Sequence, residues 1–90
     1  MPRQHAKIEG RVQGVGFRYH ANALAQDCGL TGWVENNEDG TVELEIQGNE
    51  IALDRFWFML GRQSRFIRID HLDIRKCKEI EEREFRIRHS

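Results

Sequence analysis

Between Gly10 and Tyr19 the hydrophobic period of the chain changes, and that change limits what the chain can fold into. Upstream, Ala6, Ile8 and Val12 fall on one face, with Lys7, Glu9 and Arg11 on the other. This alternation predicts a half-buried strand from His5 to Val12. Downstream, Phe17, Ala21, Leu24, Ala25 and Cys28 recur at helical spacing and form one stripe of an amphipathic helix, with Gly29 standing past its end as a C-terminal cap. The segment Gln13-Gly14-Val15-Gly16 between them must therefore turn a strand into a helix within four residues. Strand, glycine turn and helix start is an arrangement suited to anions. The first amides of a helix have no partner inside it, and its dipole is positive at that end. Arg18 adds a permanent, forked cation at the mouth of the turn. The competing reading is a tight turn that needs glycine for conformation alone. No Gly-Lys-Ser/Thr follows Gly16, which excludes the nucleotide phosphate loop. Tyr19 stands where the dinucleotide fingerprint needs glycine or alanine. On local grounds the segment reads as a site for a small phosphate-like anion, held by backbone and Arg18.

The remaining pattern supplies the partners of this unit. Thr31 to Asn37 reads as a second strand with Trp33 and Val34 on opposite faces. Asn37-Glu38-Asp39-Gly40 is a hairpin turn. Thr41 to Gln47 alternates cleanly, Val42, Leu44 and Ile46 inward and Glu43, Glu45 and Gln47 outward. Asn49 is the expected N-cap of a second helix that buries Ala52, Phe56, Met59 and Leu60 and ends near Gly61. Ile51, Trp57 and Phe58 widen its apolar face, either by packing against the first helix or as a surface for a protein contact. In Phe66 to Arg75, Ile67 and Ile69 share one phase and Leu72 and Ile74 the other, so a β-bulge is expected near Asp70-His71. Lys76 to Glu82 reads as a charged loop, and Phe85 and Ile87 alternate with Arg86 and Arg88 in a short final edge strand. The order is β-α-β-β-α-β with an extra C-terminal strand. It predicts an α/β (α+β) sandwich of the ferredoxin-like type, with two helices on one face of a mixed sheet.

Ninety residues suit a single domain, and a net charge of −1 leaves no broad polyanion-binding surface. The longest apolar run, Phe56 to Leu60, is too short to span a bilayer, and the first residues have no apolar leader core. Cys28 and Cys77 are far apart and fit no metal or redox spacing, so a cytoplasmic protein with two reduced thiols is expected. The four histidines show no ligand spacing either, and no metal or cofactor is expected. His20, one helical step from Arg18, reads as a surface residue.

In a βαβ unit the two strands run parallel and end at the same sheet edge. Asn36 is therefore expected beside the glycine turn. It shares a strand face with Val34, which points it toward the start of the first helix. Its amide could hold a water by one proton and leave the oxygen free to attack. An ordinary strand-end residue is the plainer reading of Asn36 on spacing alone.

The stretch Gly10-Arg-Val-Gln-Gly-Val-Gly-Phe-Arg18, with Gly29-Leu30, Gly32-Trp-Val-Glu-Asn36, Asp39-Gly-Thr-Val-Glu43 and Phe85-Arg-Ile87, closely resembles the acylphosphatase family. The resemblance implies the ferredoxin-like sandwich and hydrolysis of the carboxyl–phosphate anhydride of acyl phosphates, giving carboxylate and inorganic phosphate. It places the phosphate-binding arginine at Arg18 and the water-positioning asparagine at Asn36. The phosphate cradle maps onto the backbone of Gln13, Gly14, Val15, Gly16 and Phe17. Many relatives carry Gly-Pro between the second helix and the next strand. Here Gly61-Arg62-Gln63-Ser64-Arg65-Phe66 has no proline, so the shape of that connection does not follow from the resemblance. The expected partners are a small acyl phosphate and its phosphate product, with no nucleic acid and no membrane, on a monomer. RNA binding on the same layered fold would need aromatics on the open sheet face, where Glu43 and Glu45 stand instead. The remaining alternative is a catalytically silent interaction module that uses Trp57 and Phe58.

Overall fold

The computed structural model describes residues 1–62 and 65–89. Gln63 and Ser64, in the connection without proline, lie outside the described residues. The elements are β1 (Arg3–Arg11), α1 (Phe17–Asp27), β2 (Thr31–Asn36), β3 (Val42–Gln47), α2 (Glu50–Leu60), β4 (Arg68–Cys77) and β5 (Phe85–Arg88). They build a five-stranded sheet in the order β4-β1-β3-β2-β5. β2 pairs with β5 in parallel, while the other neighbours are antiparallel, so the sheet is mixed.

The inward residues of the strands form a continuous core with both helices. Ala6, Ile8, Val34, Val42, Leu44 and Ile46 are fully buried there, together with Phe17, Ala21 and Ala25 of α1 and Phe56 of α2. α1 ends as its sequence predicts: the Leu30 amide donates to the Ala25 carbonyl at 2.8 Å and the Gly29 amide to that of Gln26 at 3.1 Å, with Gly29 in the left-handed region. α2 starts at Asn49, whose side-chain oxygen accepts from the Ala52 amide at 2.8 Å. Its buried stripe differs from the expected one. Leu53, Phe56 and Leu60 are buried, whereas Ala52 and Met59 lie at the margin. The apolar face of α2 is wide, and contact with the sheet selects the phase centred on Leu53. Trp57 packs against the core and donates its indole N–H to the Gln4 side chain at 2.7 Å, so it is held by the fold. Ile51 and Phe58 remain exposed.

β4 begins and ends two residues later than the alternation suggested, so Lys76 and Cys77 belong to the strand and not to the loop. The phase change is a bulge. Glu9 faces His71 and Gly10 faces Ile69, which leaves Asp70 as the extra residue.

The segment that returns to β5 is strapped over the open sheet face. Arg3 is buried there, donating from Nε to Glu45 and from Nη1 to Glu82, both at 2.8 Å. Gln47 exchanges two hydrogen bonds with the backbone of Ile80. Glu43 and Glu45 point out from that same face, each to one nitrogen of His5. Cys28 and Cys77 are free thiols. Among the described residues no helix is long and apolar enough to cross a membrane.

Candidate active site

Both β1 and β2 run antiparallel to β3, so they are parallel to each other and finish at the same edge. Ile8, Val42 and Asn36 lie in one row across the three strands. Ile8 and Val42 point into the core beneath the helices, and Asn36 takes the same face at the end of its strand. A few residues beyond Ile8 the chain enters the glycine turn. The two segments expected to carry chemistry thus meet at one edge.

A cleft of about 140 Å³ opens there, lined by Val12, Gly14, Gly16, Phe17, Arg18, Tyr19 and Asn36. Gly14 and Gly16 have φ of 74° and 78°, in the left-handed region. A Cβ at either would meet nothing within 4 Å. Backbone angle, not crowding, therefore calls for glycine, and the space beside both is open to a ligand. Gly16 is the N-cap of α1 and supplies no side-chain hydrogen bond. The first bond of the helix runs from the His20 amide to the Gly16 carbonyl at 3.0 Å. The amides ahead of it consequently lack an intrahelical partner. The first turn holds no acidic side chain to answer the dipole. It holds Arg18, a cation at the positive end of a helix, an arrangement that an isolated helix disfavours. Two like-signed features at one concavity favour negative charge there.

Arg18 is half-exposed, and its Nη1 lies 3.4 Å from both the Arg88 carbonyl oxygen and His89 Nδ1. The C-terminal end of β5, parallel to β2, thereby backs the guanidinium. Nothing in the sequence pattern pointed to His89, because the contact joins residues at opposite ends of the chain.

Of the predicted cradle, Gly14, Gly16 and Phe17 line the cleft, while Gln13 and Val15 do not. Phe17 presents backbone there, since its ring is buried in the core. Gln13 turns its side chain away to the hairpin, donating from Nε2 to the carbonyl oxygens of Asn37 at 2.7 Å and Thr41 at 2.9 Å. The hairpin is tightened further by Asn37 Nδ2, which donates to Thr41 Oγ1 and Glu43 Oε1, both at 2.9 Å. Gln13 therefore ties the turn to the segment carrying Asn36, a role not anticipated from sequence.

His20 is not a free surface residue. Its Nε2 is buried without a hydrogen-bond partner among the described residues, and burial pushes its pKa down. It lies outside the cleft lining. Among the described residues that line the cleft there is no carboxylate, imidazole or thiol. Nowhere among the described residues do three His, Cys, Asp or Glu side chains converge as metal ligands. A wider cleft of about 670 Å³ beside β5 mixes Glu81, Glu82 and Glu84 with Arg83, Arg86 and Arg88. With its carboxylates and no helix terminus, it is poorly suited to a phosphate.

The acylphosphatase family profile matches residues 4–87. The chain belongs to the acylphosphatase family. The acylphosphatase of Geobacillus kaustophilus (strain HTA426) is 47% identical over 89 residues, which is 97% of this chain and 94% of that protein. The crystal structure of acylphosphatase from Bacillus subtilis superimposes with a TM-score of 0.90 at 35% identity, covering 97% of this chain and 98% of that one. A crystal structure of full-length HypF in a phosphate- and nucleotide-bound form also superimposes, with a TM-score of 0.89 at 30% identity. That likeness covers 96% of this chain and 11% of HypF, so there the family fold is one part of a much larger protein.

Proposed function

We propose that amides of the Gln13–Phe17 turn, with Gly14, Gly16 and Phe17 lining the cleft, and the Arg18 guanidinium hold the phosphoryl group of an acyl phosphate while the Asn36 amide aims the attacking water. The chain's reaction is that of its family, hydrolysis of an acyl phosphate to carboxylate and inorganic phosphate. The water oxygen forms a bond to phosphorus. The bond from phosphorus to the acyl oxygen breaks, and the carboxylate leaves with the electron pair. Carboxylate is a good leaving group, so the demand on the protein is modest. Charge spreads over the equatorial phosphoryl oxygens in the transition state, and fixed donors aimed at those oxygens supply most of the stabilisation. Because no described residue that lines the cleft offers a carboxylate or imidazole as general base, the proton of the water passes to a phosphoryl oxygen of the substrate. Turnover on this route needs no metal and survives a chelator such as EDTA.

The observation that carries this reading is the positive helix start of α1, without an acidic residue in its first turn, joined by Arg18 and faced by Asn36 across one small cleft. All these groups come from one chain, so the proposed site, on a monomer, needs no residue from a second copy. The two free thiols support a reducing, cytoplasmic setting. The sheet face that carries Glu43 and Glu45 is strapped by the segment holding Ile80 and Glu82, which argues against nucleic acid as a partner.

The test is hydrolysis of benzoyl phosphate by the purified chain beside Arg18→Ala and Asn36→Ala. Removing one preorganised donor costs about 2.7–4 kcal/mol in the barrier, on the order of 10²–10³ in rate. Arg18→Ala is expected to weaken phosphate inhibition and nearly abolish turnover. Asn36→Ala is expected to lower kcat while phosphate still inhibits. Wild-type kcat in Asn36→Ala would remove the water-positioning role.

A further inference from the structure

The geometry points to Tyr19 as the residue that contacts the acyl group of the substrate and favours acyl groups with a flat apolar face. This rests on the proposal that the turn and Arg18 hold the phosphoryl end. A cavity of about 150 Å³ is filled by a single benzene. The cleft, at about 140 Å³ and open at its rim, is of the size of one such group. With the phosphoryl group against the glycine turn, the acyl part must lie over the rim.

The apolar residues of the lining differ sharply in what they can offer there. Val12 and Phe17 are 1% exposed and committed to the core. Tyr19 is 65% exposed. Each helical residue is rotated by about 100° from the last, so Tyr19 stands about 200° around α1 from the inward Phe17. Tyr19 is part of the cleft lining and reaches solvent, and it follows Arg18 directly in the chain. A phenol ring in that position gives an aromatic acyl group an edge or face to pack on, and gives a methyl group little.

The experiment measures kcat/KM for benzoyl phosphate and acetyl phosphate in the wild type, Tyr19→Ala and Tyr19→Phe. The benzoyl-to-acetyl ratio is expected to fall about two- to tenfold in Tyr19→Ala, mainly through KM for benzoyl phosphate, and to return in Tyr19→Phe. Competitive inhibition by inorganic phosphate, which has no acyl part, is the control. Its constant is expected to hold in Tyr19→Ala, and a shift there matching the loss on benzoyl phosphate would mean that the turn itself had been disturbed and would overturn the assignment. A ratio unchanged in Tyr19→Ala, or one that Tyr19→Phe does not restore, would also overturn it while leaving the phosphoryl site intact. Failure of the wild type to hydrolyse either acyl phosphate would overturn the phosphoryl site and the assignment together.

Discussion

Replacing Gln13 tests whether the glycine turn and the β2–β3 hairpin work as one rigid body. Its Nε2 donates to two carbonyl oxygens, of Asn37 at 2.7 Å and Thr41 at 2.9 Å, and Asn37 follows Asn36 directly. Each neutral hydrogen bond contributes a net of about 0.5–1.5 kcal/mol, so Gln13→Ala should destabilise the fold by about 1–3 kcal/mol. Gln13→Glu is the sharper variant. It keeps the shape and replaces the donor with a carboxylate aimed at two carbonyls. Its penalty at neutral pH should equal or exceed that of alanine. The introduced carboxyl can donate only when protonated, so the folded state raises its pKa. Its stabilising bond is therefore present below the carboxyl's unfolded pKa and lost as pH rises through the folded one. Urea denaturation at pH 7 and at mildly acid pH measures this, with each variant compared to wild type at the same pH. Activity should follow, because misplacing a catalytic group by about 1 Å can cost on the order of 10² in rate. The drop is expected in kcat more than in phosphate inhibition, since Asn36 shifts while the turn keeps its amides. If Gln13→Glu at pH 7 had the wild-type urea midpoint and the wild-type kcat, the tie would be irrelevant and the reasoning wrong.

Gly10→Ala places a Cβ 2.1 Å from the Arg68 carbonyl oxygen at a φ of +140°, where β1 pairs with β4 at the bulge. Backbone strain alone costs about 1–3 kcal/mol and the clash adds to it, so a lowered urea midpoint or insoluble protein is expected. Burial alone would raise the pKa of Glu45, but hydrogen bonds from His5 and Arg3 and their charges outweigh it and hold the carboxyl below its ordinary value. Its contribution to stability is present above the unfolded glutamate pKa and lost as pH falls through the depressed one. Glu45→Gln should accordingly flatten the acid limb of the Tm–pH curve. His20 has its pKa lowered by burial, so the unfolded chain binds its proton first and stability falls as pH drops below histidine's ordinary range. His20→Gln should reduce that slope without changing the slope Glu45 produces at lower pH.

What could be read from the sequence and what could not divides along a physical line. Alternation in Val42, Leu44 and Ile46 and the helical stripe from Phe17 to Ala25 are short-range patterns, and the structure buries all of these residues. The bulge at Asp70 was legible because an extra residue reverses the phase of every side chain after it. The meeting of Asn36 with the glycine turn followed from two rules, parallel strands in a βαβ unit and the parity shared by Val34 and Asn36. By contrast α2 is apolar over so much of its surface that its own period admits two phases, and only the sheet beneath selects Leu53 over Ala52. Arg3 lies before the strand that the alternation predicts, and only Glu45 and Glu82, far along the chain, account for its burial. Gln13, His89 and Tyr19 belong to this second class. Local pattern located Gly14, Gly16, Arg18 and Asn36 of the cleft lining, since a strand, a turn and a helix start define them. The groups that brace those, and the one that meets the acyl part, depend on where distant segments and solvent fall. Substitutions at Gln13, His89 and Tyr19 thus probe the part of the site that only the folded chain creates.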